Sequence, residues 1–399
     1  MKSATVIGAG LSGLATAWFL TERGVSVHVC EAGARAGGLI QTTHEPEGLI
    51  ESAARAFTTT DRVTELFASV GLKALTPRDD SRRRYIFRDG RPRRWPLTPL
   101  ETAGFAAKFS SAWIARRVRP RGRETVAEWG ARVLGASATE WLLAPALQGI
   151  YAASPDELSA SALFGKGRPP RGVLLAPEQG MGALMDRLQS ALAARGVTFA
   201  FNQSADAADI DRSRATVICT SAPAAAKLLA PHAPGLAAAI GRIRMVSVVC
   251  ATAFFQPSAD DVRGFGVLFP RKAGIHALGA VFNADIFAGR SDVRSETWIY
   301  GDLNPETLPD GQTATIEAIV RGRRLFTGRA TAPAAVYAVR QIRALPVYDA
   351  AVLDAQAALR ELPPYLALAG NYLGRLGVSS LVAGAADVAA ALQPKMVAA

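Results

Sequence analysis

Cysteine and histidine are scarce: three and four residues, respectively, in a chain of 399. Cys30, Cys219 and Cys250 stand in apolar runs with no pairing pattern. That excludes a disulfide framework and fits reduced thiols in a cytosolic setting. The scattered histidines form no ligand constellation, so no metal is expected. No apolar stretch reaches the roughly 18 residues that a membrane span needs, which limits membrane contact to the periphery. Nor is a signal peptide expected, because the apolar run from Ala4 is broken by glycines and leads into a helical stretch carrying Glu22. Lysine is rare too, supplying 7 of the 45 basic residues.

Arginine fills that gap and brings the net charge to +11. An Ala/Arg-rich genome would produce such a balance, and so would selection for anionic partners. The distribution favours a specific surface. Between Arg82 and Arg123 twelve arginines and Lys108 face only Asp89 and Glu101, with Trp95 and Trp113 interleaved. This suits an anionic membrane surface. No zinc-finger, helix-turn-helix or RNA-binding signature accompanies it, so nucleic acid is not an expected partner. Hydrophobic residues make up 49% of the chain, enough for a large core, and its length suggests two or three interdependent domains.

The N-terminus reads β-α-β. Residues 4–7 form a short apolar strand, helical spacing runs from Gly13 through Ala17, Phe19 and Leu20 to Gly24, and Val25–Val29 is a second strand. Between the first strand and the helix lies Gly8-Ala9-Gly10-Leu11-Ser12-Gly13, a G-x-G-x-x-G loop in its required context. Gly8 permits the tight turn, Gly10 lets backbone approach a pyrophosphate, and Gly13 lets helix and strand pack closely. The free amides at the helix start suit phosphate oxygens. Glu31, just past the second strand, is placed to accept ribose hydroxyls. A dinucleotide ligand is therefore expected. Farther along, helical patterns cover 60–71, 103–118, 125–147, 180–196 and 381–392, and strands are expected at 197–201, 217–220, 246–254, 266–269, 277–282, 296–300 and 366–370.

The segment Glu31-Ala32-Gly33-Ala34-Arg35-Ala36-Gly37-Gly38-Leu39 resembles the second signature of the amine-oxidase superfamily of flavoproteins. The resemblance implies FAD, with Arg35 neutralising the diphosphate and Gly37 and Gly38 letting the chain cross beneath it. Gly370-Asn371-Tyr372-Leu373-Gly374-Arg375-Leu376-Gly377-Val378, opening the last helix, is similar to the C-terminal element that the superfamily aims at the flavin ring. The implied cofactor set is Gly8–Gly13, Glu31, Ala32, Arg35, Gly37–Leu39, Ala54, Arg55, Gly370, Leu376, Gly377 and Val378. The implied fold class is α/β: a discontinuous Rossmann-like FAD-binding domain (1–85, 172–235 and 365–399), a helical, basic, membrane-facing lobe (86–171) and a mixed-sheet substrate domain (236–364).

Within that superfamily the protoporphyrinogen oxidase family is the nearest resemblance. Thr125-Val126-Ala127-Glu128-Trp129 through Gly149-Ile150-Tyr151-Ala152, then Gly264–Pro270 through Phe287-Ala288-Gly289-Arg290, then Arg340–Tyr348, follow that family's motifs in order. Departures include Ala53-Ala54 for the family's Gly-Pro, Gln341 for its Trp, and no cation near Leu100 and Glu101, where the family keeps a propionate-binding arginine. The resemblance implies oxygen-dependent oxidation of protoporphyrinogen or coproporphyrinogen in haem synthesis, at the cytoplasmic face of a membrane. Phe265, Phe269, Phe282 and Tyr348 are candidate substrate walls, with core packing the competing reading. Arg91 and Arg94 are candidate anion clamps, with solvated or lipid-facing positions competing. Two rivals stand beside this: another amine oxidase or desaturase of the superfamily, and a non-enzymatic binder on the same fold. Cofactor chemistry requires no catalytic Ser, Cys or His triad.

Overall fold

The computed structural model describes residues 3–165, 172–258 and 261–397. Residues 166–171, at the end of the expected lobe, lie outside them, as do 259–260 of the expected substrate domain and the two residues at each terminus.

Five parallel strands form the first sheet, in the order Thr198–Ala200, Ser26–Cys30, Ser3–Ile7, Ala215–Ile218, Leu366–Leu368. The apolar run Ala-Thr-Val-Ile is central because parallel strands are covered on both faces. The first helix, Leu11–Thr21, follows it and is buried at every position from Leu11 to Leu20. It has no polar face because the sheet, the helix Met181–Ala194 and the C-terminal helix Val378–Val397 surround it. Each large side chain so buried, such as Leu14 or Leu20, contributes about 1.5–3 kcal/mol. Distant segments thus complete one layer, and the C-terminal helix begins at Val378, three residues before the sequence pattern suggested.

Seven strands form the second sheet: Ala335–Pro346, Met245–Phe255, Arg294–Asp302, Gly279–Phe282, Gly266–Leu268, Arg84–Arg88 and Arg91–Arg93. The strand Met245–Phe255 is buried along its whole length. One face packs Phe269, Trp298 and Phe282 against Ile319 and Phe326 of the helix Gly311–Thr327. The other packs Val246, Val248 and Tyr348 against Val126, Trp129 and Leu147 of the helical lobe. The hairpin 84–93 joins this sheet, so most of it leaves the lobe to which sequence had assigned residues 86–93.

A buried ionic layer lies against the same sheet. Arg294 contacts Asp285 and Glu296, each at 3.0 Å, Arg323 contacts Asp261 at 3.0 Å and Glu296 at 3.5 Å, and Arg263 contacts Asp285 at 3.0 Å. Two buried guanidinium groups and that of the exposed Arg263 thus meet three carboxylates, and among the described residues the layer closes without net charge.

In the lobe, the helix expected over 125–147 is broken. It runs Val126–Val133, stops at Gly135 with φ 88°, and resumes through a π-turn at Thr139–Leu143. Pro145 accounts for the π-turn, since it has no N–H for the carbonyl four residues back and its ring crowds that carbonyl. The preceding helix, Pro99–Ile114, starts earlier than its apolar spacing implied because Thr98 and Glu101 form a capping box. Glu101 also takes a bidentate pair of bonds from Arg88, at 2.7 and 3.0 Å, and Arg88 lies over the Trp141 ring.

These partners, Arg88 first and then the Thr98 amide, hold the Glu101 carboxyl down to about 2. A carboxyl lowered on folding stabilises fully above its unfolded value and loses that contribution as pH falls through the folded one. Glu101→Gln is therefore expected to lower the urea midpoint at neutral pH. The gap from the wild type should shrink between the ordinary 4.5 and about 2. Midpoints measured across that range check this, and a gap independent of pH would refute the ionic account.

Candidate functional site

The Gly8–Gly13 turn separates its glycines by purpose. Gly8 has φ +102°, and a Cβ there would lie 2.9 Å from the Cys219 carbonyl oxygen. A Cβ on Gly13 would lie 1.8 Å from the Gly8 oxygen, so that glycine serves helix–strand packing. Gly10 differs. A Cβ there meets only Gly38 Cα, at 3.9 Å, an ordinary contact. The polypeptide does not need glycine at position 10; the room in front of it suits an incoming group. The helix that follows has no side-chain cap and no acidic residue in its first turn, which leaves its leading amides and partial positive charge available to a phosphate.

Glu31 organises the turn. Its Oε2 accepts the Ala9 amide at 2.7 Å and its Oε1 accepts the Gly33 amide at 2.8 Å. An ionised carboxylate has about four acceptor sites, so hydroxyls can still bind. Gly37 donates its amide to the Ala9 carbonyl at 2.8 Å and pairs with Gly10, which draws the Gly37–Gly38 segment beneath the turn. Arg35, expected at the diphosphate, spends its fork on its own loop. Its Nη atoms donate to the carbonyls of Ala36, Ile40 and Gly38 and to Gln41 Oε1 at 2.9–3.2 Å. That loop has no ladder partner for its carbonyls, so the guanidinium satisfies them and keeps only its Nε–H.

Arg55 is the reverse case. Its Nε and Nη2 are buried without a partner, and Nη1 makes only a 3.4 Å bond to the Ala53 carbonyl. A desolvated guanidinium lacking acceptors is costly unless a ligand supplies them. Beside it, Ser52 Oγ donates to the Leu39 carbonyl at 2.7 Å, and Ser379 Oγ at the start of the C-terminal helix donates to the Thr58 carbonyl. Gly377, φ +91°, opens that helix, Val378 is buried against the first helix's cluster, and Leu376 packs toward the lobe. Gly370 is extended, and its lack of a side chain admits the Tyr372 ring, 2.6 Å from where a Cβ would stand. The structure thus brings together Gly8–Gly13, Glu31, Gly37–Leu39, Ala54–Arg55 and Gly377–Val378. The open space at Gly10 and the unpartnered Arg55 fit an anionic dinucleotide cofactor.

The substrate candidates separate. Phe269 stacks on Trp298 with centroids 5.4 Å apart, and Phe282 is 0% exposed. Both lie in the core facing the helix Gly311–Thr327, not in an open slot. The strand pattern could not tell these faces apart, because both faces of this sheet are apolar. Phe265 is half-buried under the Arg84 guanidinium, 4.6 Å from its ring centroid. Arg91 and Arg94 are exposed at the far edge of the sheet, six strand spacings, or roughly 28 Å, from the strand Ala335–Pro346. That strand is the one near the cradle, for Gln341 Nε2 donates to the Leu39 carbonyl at 2.8 Å. Tyr348 is also buried, yet it is placed differently. Its hydroxyl donates to the Asn371 carbonyl, and its ring packs on Tyr151 of the lobe with centroids 5.0 Å apart. It therefore pins the C-terminal turn instead of walling a pocket, and burial pushes its phenol well above the usual range. Sequence reading noted Gln341 only as a departure, and Ser52 carried no signal.

A family model described as flavin containing amine oxidoreductase matches residues 11–385. Chloroplastic protoporphyrinogen oxidase of Nicotiana tabacum is 26% identical over 460 residues, covering 96% of this chain and 84% of its own. Coproporphyrinogen III oxidase of Mycobacterium bovis is 25% identical, covering 96% of each. Among solved structures, a provisionally named protoporphyrinogen oxidase from Exiguobacterium sp. 255-15 superposes with a TM-score of 0.81 at 19% identity, over 98% of this chain and 99% of that one. Cyclohexylamine oxidase from Brevibacterium oxydans superposes with a TM-score of 0.73 at 18% identity, over 99% of each.

The two glycines give opposite expectations. Gly10→Ala should fold with near-normal thermal stability and lose most bound flavin, read from absorbance after dialysis. Gly13→Ala should be recovered poorly folded, because its Cβ meets backbone. A Gly10→Ala protein that keeps its full flavin would refute the loop assignment.

Proposed function

Because the chain belongs to the flavin-containing amine oxidoreductase family, we propose that this FAD-dependent oxidoreductase oxidises a porphyrinogen, protoporphyrinogen IX or coproporphyrinogen III, to the porphyrin, with oxygen as the final acceptor. The burial of the tyrosines at the C-terminal motif favours this choice over amines. An amine oxidase of this fold would set aromatic side chains beside the flavin; Tyr372, within the motif, is 0% exposed and packed among Leu368, Val352 and Ala355, and Tyr348, bonded to Asn371, is buried against Tyr151. Relatives named for porphyrinogens, aligned over nearly the whole chain, support the same reading.

When bound, FAD supplies the redox chemistry, taking hydride equivalents from the reduced macrocycle. The chain's own residues bind and orient. The first helix offers its amides to the pyrophosphate, Glu31 holds the ribose side, and the free N–H groups of Arg55 meet acceptors of the cofactor. Tyr348 and Asn371 hold the turn that leads into the C-terminal helix, whose positive end stabilises negative charge developing nearby.

The lobe supports a membrane-surface location at the cytoplasmic face. Of the helix Pro99–Ile114 only Ala112 is buried, and Phe105, Phe109 and Trp113 form a ladder of rings along it. Leu100 is 84% and Ile114 81% exposed, and Arg116, Arg117, Arg119, Arg121 and Arg123 follow. Phe109 packs on the lobe core, whereas Leu100, Trp113 and Ile114 are left exposed, and these apolar side chains beside the cations suit an anionic bilayer surface. Among the described residues no helix is long and apolar enough to cross a membrane.

Two measurements test this reading. Under anaerobic conditions either porphyrinogen should bleach the flavin absorbance within turnover time, whereas cyclohexylamine should not; bleaching by the amine alone would overturn the substrate class. The holoenzyme should sediment with anionic vesicles and be released as salt rises, because the attraction is screened over roughly 8–10 Å near physiological ionic strength. Equal binding to neutral vesicles would remove the electrostatic part.

A further inference from the structure

The strand Ala335–Pro346 contains an irregularity beside the cradle. It pairs regularly with its neighbour from Ala335 opposite Phe254 to Gln341 opposite Val248, and resumes with Leu345 opposite Val246. Ile342, Arg343 and Ala344 therefore stand against Ser247 alone, which makes this a bulge. Arg343 has φ 52°, a left-handed conformation that a branched, bulky side chain adopts at a cost and that glycine adopts freely. The other non-glycine residues with positive φ, Asp89, Arg116, Ala152 and Asn202, lie in turns or at element ends; Arg343 is the one inside a strand among the described residues. The conformation is held in place, since the Arg343 amide donates to the buried Ser247 Oγ at 3.1 Å.

What the bulge presents is an exposed guanidinium with no hydrogen bond or ion pair to any described residue. Arg340 on the same strand, by contrast, bonds the Pro305 carbonyl and pairs with Asp310 at 3.1 Å. The flanks of Arg343 reach both halves of the cradle. Two residues before it, Gln341 bonds Leu39 next to the glycine pair, and one residue after it the Ala344 carbonyl accepts Asn371 Nδ2 at 3.2 Å. Ile342 beside it is 54% exposed. A free planar cation next to an exposed apolar side chain, at the rim of the cofactor cradle, matches a flat apolar ligand edged with carboxylates.

We propose that Arg343 is the substrate-recognising cation: its bulge directs the guanidinium to a peripheral carboxylate of the macrocycle, in place of the expected Arg91 or Arg94. The proposal rests on the porphyrinogen reading. A guanidinium binds a carboxylate through two parallel N–H bonds, which fixes the orientation of the ring edge as well as adding affinity.

The test is equilibrium titration of flavin-loaded protein with coproporphyrin III and with its tetramethyl ester, which lacks the charges. Arg343→Gly should weaken the free acid by roughly ten- to a hundredfold, the range for a lost charge-assisted contact. It should leave the ester, the flavin content and the melting temperature unchanged, because glycine accepts this backbone. Arg343→Lys should fall between, keeping the charge without the fork. Equal affinity of wild type and Arg343→Gly for the free acid would overturn the assignment, and so would an equal loss for acid and ester, which marks a structural role. If wild type binds neither acid nor ester, the porphyrinogen reading itself fails.

Discussion

The burial of the first helix on every side sets the geometry on which the site depends. A helix without a polar face cannot slide or tilt without opening core, so its first turn is fixed against the sheet, the C-terminal helix and the helix Met181–Ala194. At Gly13 that packing leaves no room for even a Cβ, which would lie 1.8 Å from the Gly8 oxygen. Everything that converges on the cofactor space refers to it: the Gly37–Gly38 segment through the Ala9 carbonyl, Glu31 through the Ala9 amide, and the Gly377–Val378 turn through the C-terminal helix. The cost of this design is that three distant stretches of chain have to be correct at once.

The second sheet solves a different problem. Both of its faces are apolar and both are covered, so its strands carry no alternation that separates front from back. The ionic layer supplies the distinction. Arg263, Arg294 and Arg323 neutralise Asp261, Asp285 and Glu296 on one side and tie a loop, a short helix and the helix Gly311–Thr327 to it. A purely apolar interface of this size would tolerate sliding; directional charge pairs do not.

This contrast explains what was legible in the sequence. The dinucleotide turn, Glu31 and the glycine pair were readable because their chemistry is local, written within about thirty residues. The strands of the first sheet were also readable from their apolar runs, as were Met245–Phe255, Gly266–Leu268, Gly279–Phe282 and Arg294–Asp302 of the second, whereas Ala335–Pro346, Arg84–Arg88 and Arg91–Arg93, interrupted by arginines, were not. Substrate wall and core packing could not be told apart for Phe269 and Phe282, because which face a residue takes depends on register with strands far away in sequence. The break at Gly135 and the π-turn before Pro145 were hidden by apolar spacing that continues through both. Arg35 and Arg55 look alike as sequence; only the structure reveals that one guanidinium is saturated by loop carbonyls and the other is left with empty donors.

The discontinuity of the first sheet also bears on synthesis. The strand Leu366–Leu368 and the C-terminal helix supply one edge of that sheet and one flank of the first helix. A ribosome making this chain emits the first helix more than 350 residues before its covering partner, at about 5–20 residues per second. For tens of seconds the apolar flank formed by residues such as Leu11 and Leu14 has nothing of its own chain to lie against. The nucleotide-binding fold therefore closes only once that late helix has emerged, and a chaperone that shields that one helical surface during elongation would raise the yield of folded protein.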